Sequence, residues 1–286
     1  MKTLPVSFHP YTENSLMHIP GYHKTIFRQE PAPLDIRGNV ILTLDDVPVL
    51  LRMDCPPNLV PAVETTYRQI CAVDFPLGGV KRLHSGAAYH GTSWGTTERR
   101  DIRKRMGVQM SSWSVANPKL HRWLTILTEA AWSLLESECR EMWYAMGSAP
   151  QALPCWRIGD TPYTSGVINV NAPLPYHKDR GNVADTGSAM WTMRRKVKGG
   201  HLHIPSLNAV VRCGHGSLLI FYGEKFWHGV TRMKPSSKRS TKRISIVTYA
   251  KQGILKAGPP EQENKLAALR GTRAMDDVRD TVIKYQ

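Results

Sequence analysis

The chain has 286 residues, 41% of them apolar, which suits an ordinary globular core in one large domain or two small ones. Its 38 Lys and Arg against 23 Asp and Glu leave a net charge of +15, an excess that points to a polyanionic partner. No apolar stretch approaches the roughly eighteen residues of a membrane span. The start, Met1 to Pro10, has no signal-peptide hydrophobic region, and Cys55, Cys71, Cys139, Cys155 and Cys213 form no C-x-x-C pair. These features predict an intracellular protein with reduced thiols, nuclear if eukaryotic and cytoplasmic if bacterial or phage-encoded.

Along the chain, the Pro-rich first sixty residues contain one strand-like run, 39–44. Pro56-Pro57 leads into a helix over 62–73. The stretch 78–113 reads as a long, glycine-rich basic loop carrying Arg99, Arg100 and Arg103. Asn117-Pro118 is a helix start, an Asn cap with Pro at the first position. Leu120, Trp123/Leu124, Leu127, Ala131, Leu134/Leu135, Met142/Trp143 and Met146 then recur at helical spacing up to Gly147. That predicts one long amphipathic helix, its tryptophans in the core, buttressing a sheet. From Trp156 onward short strands alternate with turn signals, as in a jelly roll. The tail carries helical patterns at 262–269 and 273–284. The expected fold is mainly β with flanking helices around a double-stranded β-helix. Its parts are a support region at 1–150, a catalytic core at 151–253 and a helical tail at 254–286, integrated in one domain.

The chemistry gathers in the second half. In an extended chain residues i and i+2 share a face, so His177 and Asp179 can reach one ion while Lys178 faces away. His228 follows the apolar run 217–222 and the turn signal Gly223-Glu224, and starts the return strand. In the next run Arg243, Ser245 and Val247 share one face, and an Arg fork beside a hydroxyl is a carboxylate clamp. Two histidines and one carboxylate are the facial set for non-haem Fe(II) with open positions. A rival same-face pair exists in His201 and His203, although Leu202 and Ile204 read as the inward residues there. Arg239 is a second candidate clamp, and Asn169 or Asn171 a further co-substrate contact.

The order His-x-Asp, His, Arg is that of the Fe(II)/2-oxoglutarate oxygenases. His177-Lys178-Asp179-Arg180-Gly181-Asn182 resembles the H-x-D-x-[GH]-N signature of the TET/JBP nucleic-acid base dioxygenases, and the run from Gly199-Gly200 to Pro205 resembles a strand of that family. Gly216 to Phe221, His228-Gly229-Val230 and Arg243 to Tyr249 continue the likeness, which spans about 155–253 with a weaker echo at 78–108. The resemblance implies Fe(II) on His177, Asp179 and His228, 2-oxoglutarate on Arg243 and Ser245, dioxygen as oxidant, and Asn182 against a flipped base. It implies oxidation of a 5-methylpyrimidine in duplex DNA, 5-methylcytosine to 5-hydroxymethylcytosine ahead of thymine. The chain departs from animal TET enzymes in lacking their cysteine-rich zinc region, and a basic insertion lengthens the gap between His228 and Arg243.

Basic runs at 99–105, 194–196 and 234–243 interleave with these segments. They make Arg99, Arg100, Arg103, Arg194, Arg195 and Lys196 candidate DNA-backbone contacts at the pocket mouth. No obligate protein partner is evident. Two other classes remain open: an oxygenase of this fold on a non-nucleic-acid substrate, and a DNA-binding module with an inactive metal site.

Overall fold

Val40–Leu44 (β3) turns back into Val47–Met53 (β4) through Asp45-Asp46, both at positive φ (50° and 63°). That is the geometry of a two-residue hairpin whose twist matches its strands. Pro48 argues against a strand in the sequence, yet it is tolerated beside the register shift at Leu42/Thr43, where the ladder is already irregular. The structure, a computed structural model, describes residues 1–11, 33–73, 75, 90–101, 104–235 and 242–269.

The two strands belong to a nine-stranded sheet that also takes Lys2–Pro5 (β1), His90–Asp101 (β5), Lys104–Met110 (β6), Ser165–Val170 (β7), Ser188–Arg195 (β8), Ser217–Phe221 (β12) and Lys242–Tyr249 (β15). Its order is β1-β3-β4-β12-β8-β15-β7-β5-β6. Opposite lies a four-stranded sheet of Gly229–Val230 (β13), Leu202–Ile204 (β10), Ala209–Val211 (β11) and Leu34–Ile36 (β2). Val197–Gly199 (β9) and Met233–Pro235 (β14) form a separate ribbon. The two larger sheets make the jelly roll that the strand pattern predicts.

Residues 90–101 and 104–110, read above as loop, instead form an antiparallel pair of strands that extends the large sheet beyond β7. Trp94 is fully buried there against the edge of His121, and any side chain on Gly166 would strike its indole. The polar, glycine-rich sequence acquires strand structure from its neighbour rather than from local propensity.

One face of the large sheet is covered by helices. Val60–Ala72 (α1) lies close to the helix 62–73 expected from sequence. After the short Ser112–Ala116 (α2), the single long helix expected at 118–147 is two, Pro118–Glu138 (α3) and Arg140–Gly147 (α4), broken at Cys139 (φ −147°, ψ 68°). Pro118 takes the first position as anticipated, but Asn117 does not cap: its side-chain amide donates backward to Trp113 O at 2.9 Å. Leu124, Leu127 and Leu135 are buried on α3, and Trp191 Nε1 on β8 donates to Leu127 O at 2.8 Å, fixing helix to sheet. Ile244 and Ile246 face this layer, so Arg243, Ser245 and Val247 line the cavity on the other side. Pro260–Leu269 (α5) packs on β6, and the second tail pattern, 273–284, falls outside the described residues. Among the described residues no helix is long and apolar enough to cross a membrane.

Candidate metal and co-substrate site

His177 and Asp179 lie between β7 and β8, and His228 lies between β12 and β13. Neither histidine is inside a continuous strand, as the alternation suggested. They face each other across an isolated antiparallel bridge, His177 N donating to His228 O at 2.9 Å and His228 N to His177 O at 3.0 Å. Asp179 N is held by Gly223 O at 2.9 Å. The extended geometry survives in this short form, and it is enough to gather the three side chains.

The imidazole orientations follow from their neighbours. His177 Nδ1 is 2.7 Å from Pro175 O, and His228 Nδ1 is 2.9 Å from Phe226 O. A carbonyl only accepts, so each Nδ1 carries the hydrogen and each Nε2 presents a lone pair. Both Nε2 atoms point at Asp179 Oδ1, at 3.5 and 3.8 Å, and one donor atom from each of the three residues lies within 4.8 Å of the others. Two neutral imidazoles and a carboxylate, each imidazole anchored through its second nitrogen, suit an octahedral divalent metal with open positions. A second network holds the carboxylate: Ser188 Oγ donates to Asp179 Oδ2 at 3.4 Å, and Asn182 Nδ2 donates to Ser188 Oγ at 3.1 Å.

These residues line a cavity of about 390 Å³, in the size range of small-molecule sites. Its inner end holds Arg243, 1% exposed on β15. Arg243 Nε donates to Gly200 O at 2.7 Å and Nη1 to Ser245 Oγ at 3.4 Å, while Nη2 has no hydrogen-bond partner among the described residues. Burial pulls its pKa down from the usual arginine value. A guanidinium stays charged nonetheless, so a buried fork with an idle donor is suited to an anionic ligand. Asn169, paired across from Ser245 on β7, is buried in the same cavity, and its Oδ1 is also without a partner among the described residues. Asn171 has a different job: its Oδ1 accepts from Arg243 N at 2.8 Å.

The rival histidines stand outside this site. His203 was expected on the outer face; it does point away from the cavity, but Tyr176 covers it and its Nδ1 meets the Tyr176 hydroxyl. His201 Nδ1 accepts from Cys213 N and from Arg194 Nη1, each at 3.3 Å. Burial, reinforced by the guanidiniums of Arg194, Arg212 and Arg243, pushes its pKa down to about 3. Arg239 falls outside the described residues.

The basic candidates separate. Arg194 is committed internally: Nη1 donates to Cys213 O at 2.8 Å, Nη2 to Gly199 O at 2.8 Å and also to Val197 O. It lines a second concavity with His201 and His215 rather than the metal cavity. Arg195 pairs with Glu64 at 2.7 Å, and Lys196 is exposed at a turn with φ 55°. Arg99 Nε is taken by Gln109 Oε1, Arg100 stands opposite Arg105 in the β5–β6 pair, and Arg103 is outside the described residues. Besides Arg243, the cations that line this cavity are Lys178, Arg180 and Lys251. Sequence reading set Lys178 aside as facing away from the ion and did not consider Lys251, whose one signal was its place just past the clamp strand. Ser188 was missed as well.

No protein-family profile matches the sequence, and no curated protein matches it. Among solved structures, NgTET1 in complex with 5mC DNA superposes with a TM-score of 0.55 at 16% identity, over 78% of this chain and 80% of that one. An oxidoreductase of the 2OG-Fe(II) oxygenase family from Burkholderia pseudomallei gives 0.45 at 11% identity, over 77% of this chain and 96% of its own. The first likeness, with the two-sheet topology, shows that the chain has a TET-like fold: a jelly roll closed around a two-histidine, one-aspartate cluster.

Proposed function

We propose that the chain is an Fe(II)- and 2-oxoglutarate-dependent dioxygenase that oxidises the 5-methyl group of a pyrimidine flipped out of DNA, converting 5-methylcytosine to 5-hydroxymethylcytosine. The observation that carries the oxygenase reading is one cavity with His177, Asp179 and His228 converging at one place and an unneutralised buried guanidinium at another. Bound iron would supply the dioxygen chemistry, in which 2-oxoglutarate becomes succinate and carbon dioxide and one oxygen atom goes to the methyl group. The chain's own residues hold and orient. The imidazoles are locked by Pro175 O and Phe226 O, and Arg243 with Ser245 anchors the distal carboxylate of 2-oxoglutarate, beside Asn169. Leu174, Met190, Leu202, Phe221 and Val247 keep the cavity wall apolar.

For the substrate, support comes from the 5mC-DNA-bound structural neighbour, the net charge of +15, and the hydrogen-bond polarity of Asn182. Asp179 can only accept, so Ser188 spends its hydrogen there and must accept from Asn182 Nδ2. That leaves Asn182 Oδ1, on a residue that lines the cavity, as the acceptor we assign to the base. An acceptor suits the amino group of 5-methylcytosine and opposes the carbonyl of thymine. A base inside a duplex would be out of reach, so it enters flipped.

The test is incubation with Fe(II), 2-oxoglutarate, ascorbate and either methylated or unmethylated DNA, followed by nucleoside mass spectrometry. 5-Hydroxymethylcytosine from methylated DNA is expected. 5-Hydroxymethyluracil alone would transfer the assignment to thymine. Succinate without any nucleobase product would leave an oxygenase of another substrate.

A further inference from the structure

We propose that Lys178, Arg180 and Lys251 form a phosphate-reading rim around the cavity mouth, so that this ring, and not the Arg194–Lys196 run, holds the nucleic-acid backbone on either side of the inserted base. The inference rests on the reading of the cavity as a nucleobase site.

Its position comes first. The three cations come from two segments, 177–182 and the residues after β15, which are joined by the bridge Asn182↔Lys251 and by Gln252 N donating to Gly181 O at 2.8 Å. All three line the same cavity as His177, Asp179 and His228. Arg180 and Gly181 are exposed whereas Arg243 is buried, so the cations mark the solvent end and Arg243 the inner end. Positive charge at the mouth of a low-dielectric cleft is where an anionic backbone gains most.

Charge accounting comes second. A divalent metal, the Asp179 carboxylate, a doubly charged 2-oxoglutarate and the Arg243 guanidinium sum to zero, so neither metal nor co-substrate calls for further cations. The rim is then charge that neither metal nor co-substrate consumes, with Lys251 met by the carboxylate of Glu98. Lys178 and Lys251 are also positioned. Lys178 Nζ stands 6.0 Å over the Trp227 ring, and Lys251 Nζ is braced at 3.2 Å by Glu98, whose carboxylate is 3% exposed beneath it. A braced ammonium loses less freedom on meeting a phosphate than a free surface lysine does. By contrast, Arg194 has its fork filled by backbone carbonyls and faces the other concavity.

The experiment is fluorescence anisotropy of the metal- and 2-oxoglutarate-loaded protein on a short uracil-substituted, unmethylated DNA duplex, titrated across salt. Each phosphate neutralised contributes about 0.9 to the log–log salt slope, so three contacts alone weaken binding roughly fortyfold between about 50 and 200 mM salt. Lys178→Gln and Lys251→Gln should each flatten the slope by about 0.9, additively, and Lys178→Arg should keep it. Arg195→Gln with Lys196→Gln should leave it unchanged. Retention of the visible absorbance of the metal–2-oxoglutarate complex shows that each variant is folded. An unchanged slope in the Lys178→Gln/Lys251→Gln protein, or equal flattening by the Arg195/Lys196 pair, would overturn the rim. Tighter binding of poly-glutamate than of DNA at equal charge would overturn nucleic acid as its occupant. Because this duplex carries no 5-methyl group, failure to oxidise a base leaves the binding result standing, and a failed rim leaves base oxidation standing.

Discussion

A Cβ on Gly223 would lie 2.3 Å from Asp179 Oδ2 and 3.4 Å from His228 Cε1. The turn after β12 is thus a glycine because the Asp179 carboxylate occupies the space its side chain would need. Gly223 is not at one of the positive φ angles, so the requirement is for room and not for backbone conformation. Gly223→Ala should fold, displace Asp179, and weaken Fe(II) binding at least tenfold, measured by titration against the metal–2-oxoglutarate absorbance. Wild-type affinity in that variant would show that the carboxylate is not a ligand in this rotamer.

Removing a ligand outright should be harsher. His177→Ala, Asp179→Ala and His228→Ala should each abolish turnover with the circular dichroism unchanged, since the proposed site offers an ion three protein ligands and no spare. His201→Ala should retain metal binding, because its imidazole is engaged with Arg194 and Cys213. The opposite pattern would move the metal site to β10.

Arg243 gives a prediction with two signs. Arg243→Met should raise the half-saturating 2-oxoglutarate concentration about a hundredfold or more, through loss of a charge-assisted pair. The same change should raise the melting temperature of the ligand-free protein, because it removes a buried charge that no described carboxylate neutralises. Arg243→Lys should only partly restore co-substrate affinity, as an ammonium has no fork. A lower melting temperature for Arg243→Met would mean that the guanidinium is satisfied without its ligand.

Arg194→Ala should cost about 2–4 kcal/mol of stability, since it strips the donors from Val197 O, Gly199 O and Cys213 O. Chemical denaturation measures this. The DNA salt slope should not change.

Burial holds His121 and His203 down to about 4, and burial with three nearby guanidiniums holds His201 down to about 3. The unfolded chain, with histidines near about 6.5, therefore binds more protons than the folded one once the pH falls below that value. Stability is full above about pH 6.5 and declines as the pH falls toward 4, by up to about 1.4 kcal/mol per pH unit for each such histidine. Urea denaturation of wild type and His121→Phe at several pH values between about 4.5 and 6.5 should give a shallower slope for the variant. Parallel slopes would show that His121 is protonated in the fold.

The convergence of His177, Asp179 and His228 and the shared face of Arg243 and Ser245 were legible in sequence because both depend on the two-residue period of extended chain, which survives even where the strand shrinks to a bridge at His177 and His228. The Gly199-Gly200 pair was visible as a motif but not as a mechanism. Gly200, at φ 67°, leaves room for Arg243 Cδ, which a Cβ would approach to 2.7 Å. What stayed hidden depends on partners distant in the chain. The β5–β6 pair owes its strands to β7, Arg194 is filled by carbonyls from β9 and the loop at Cys213, and His203 is outward-facing yet covered by Tyr176. The break at Cys139 has neither Pro nor Gly to mark it, and apolar periodicity runs straight across it.

The bridge between His177 and His228 has a kinetic corollary. Arg243 sits on an interior strand of a nine-stranded sheet, ladder-bonded on both sides, whereas the His177 and His228 segments lie outside that sheet, tied by their own two reciprocal bonds, by Val230 N to Leu174 O and Asp179 N to Gly223 O, and by the short pairing of β13 with β10. The anchoring end is rigid before anything binds, and the chelating end is two connections that an ion would staple together. Amide hydrogen exchange at His177, His228 and Val230 should therefore slow on metal loading while Ile244 to Val247 stay equally protected throughout, which makes those three amides an internal gauge of occupancy.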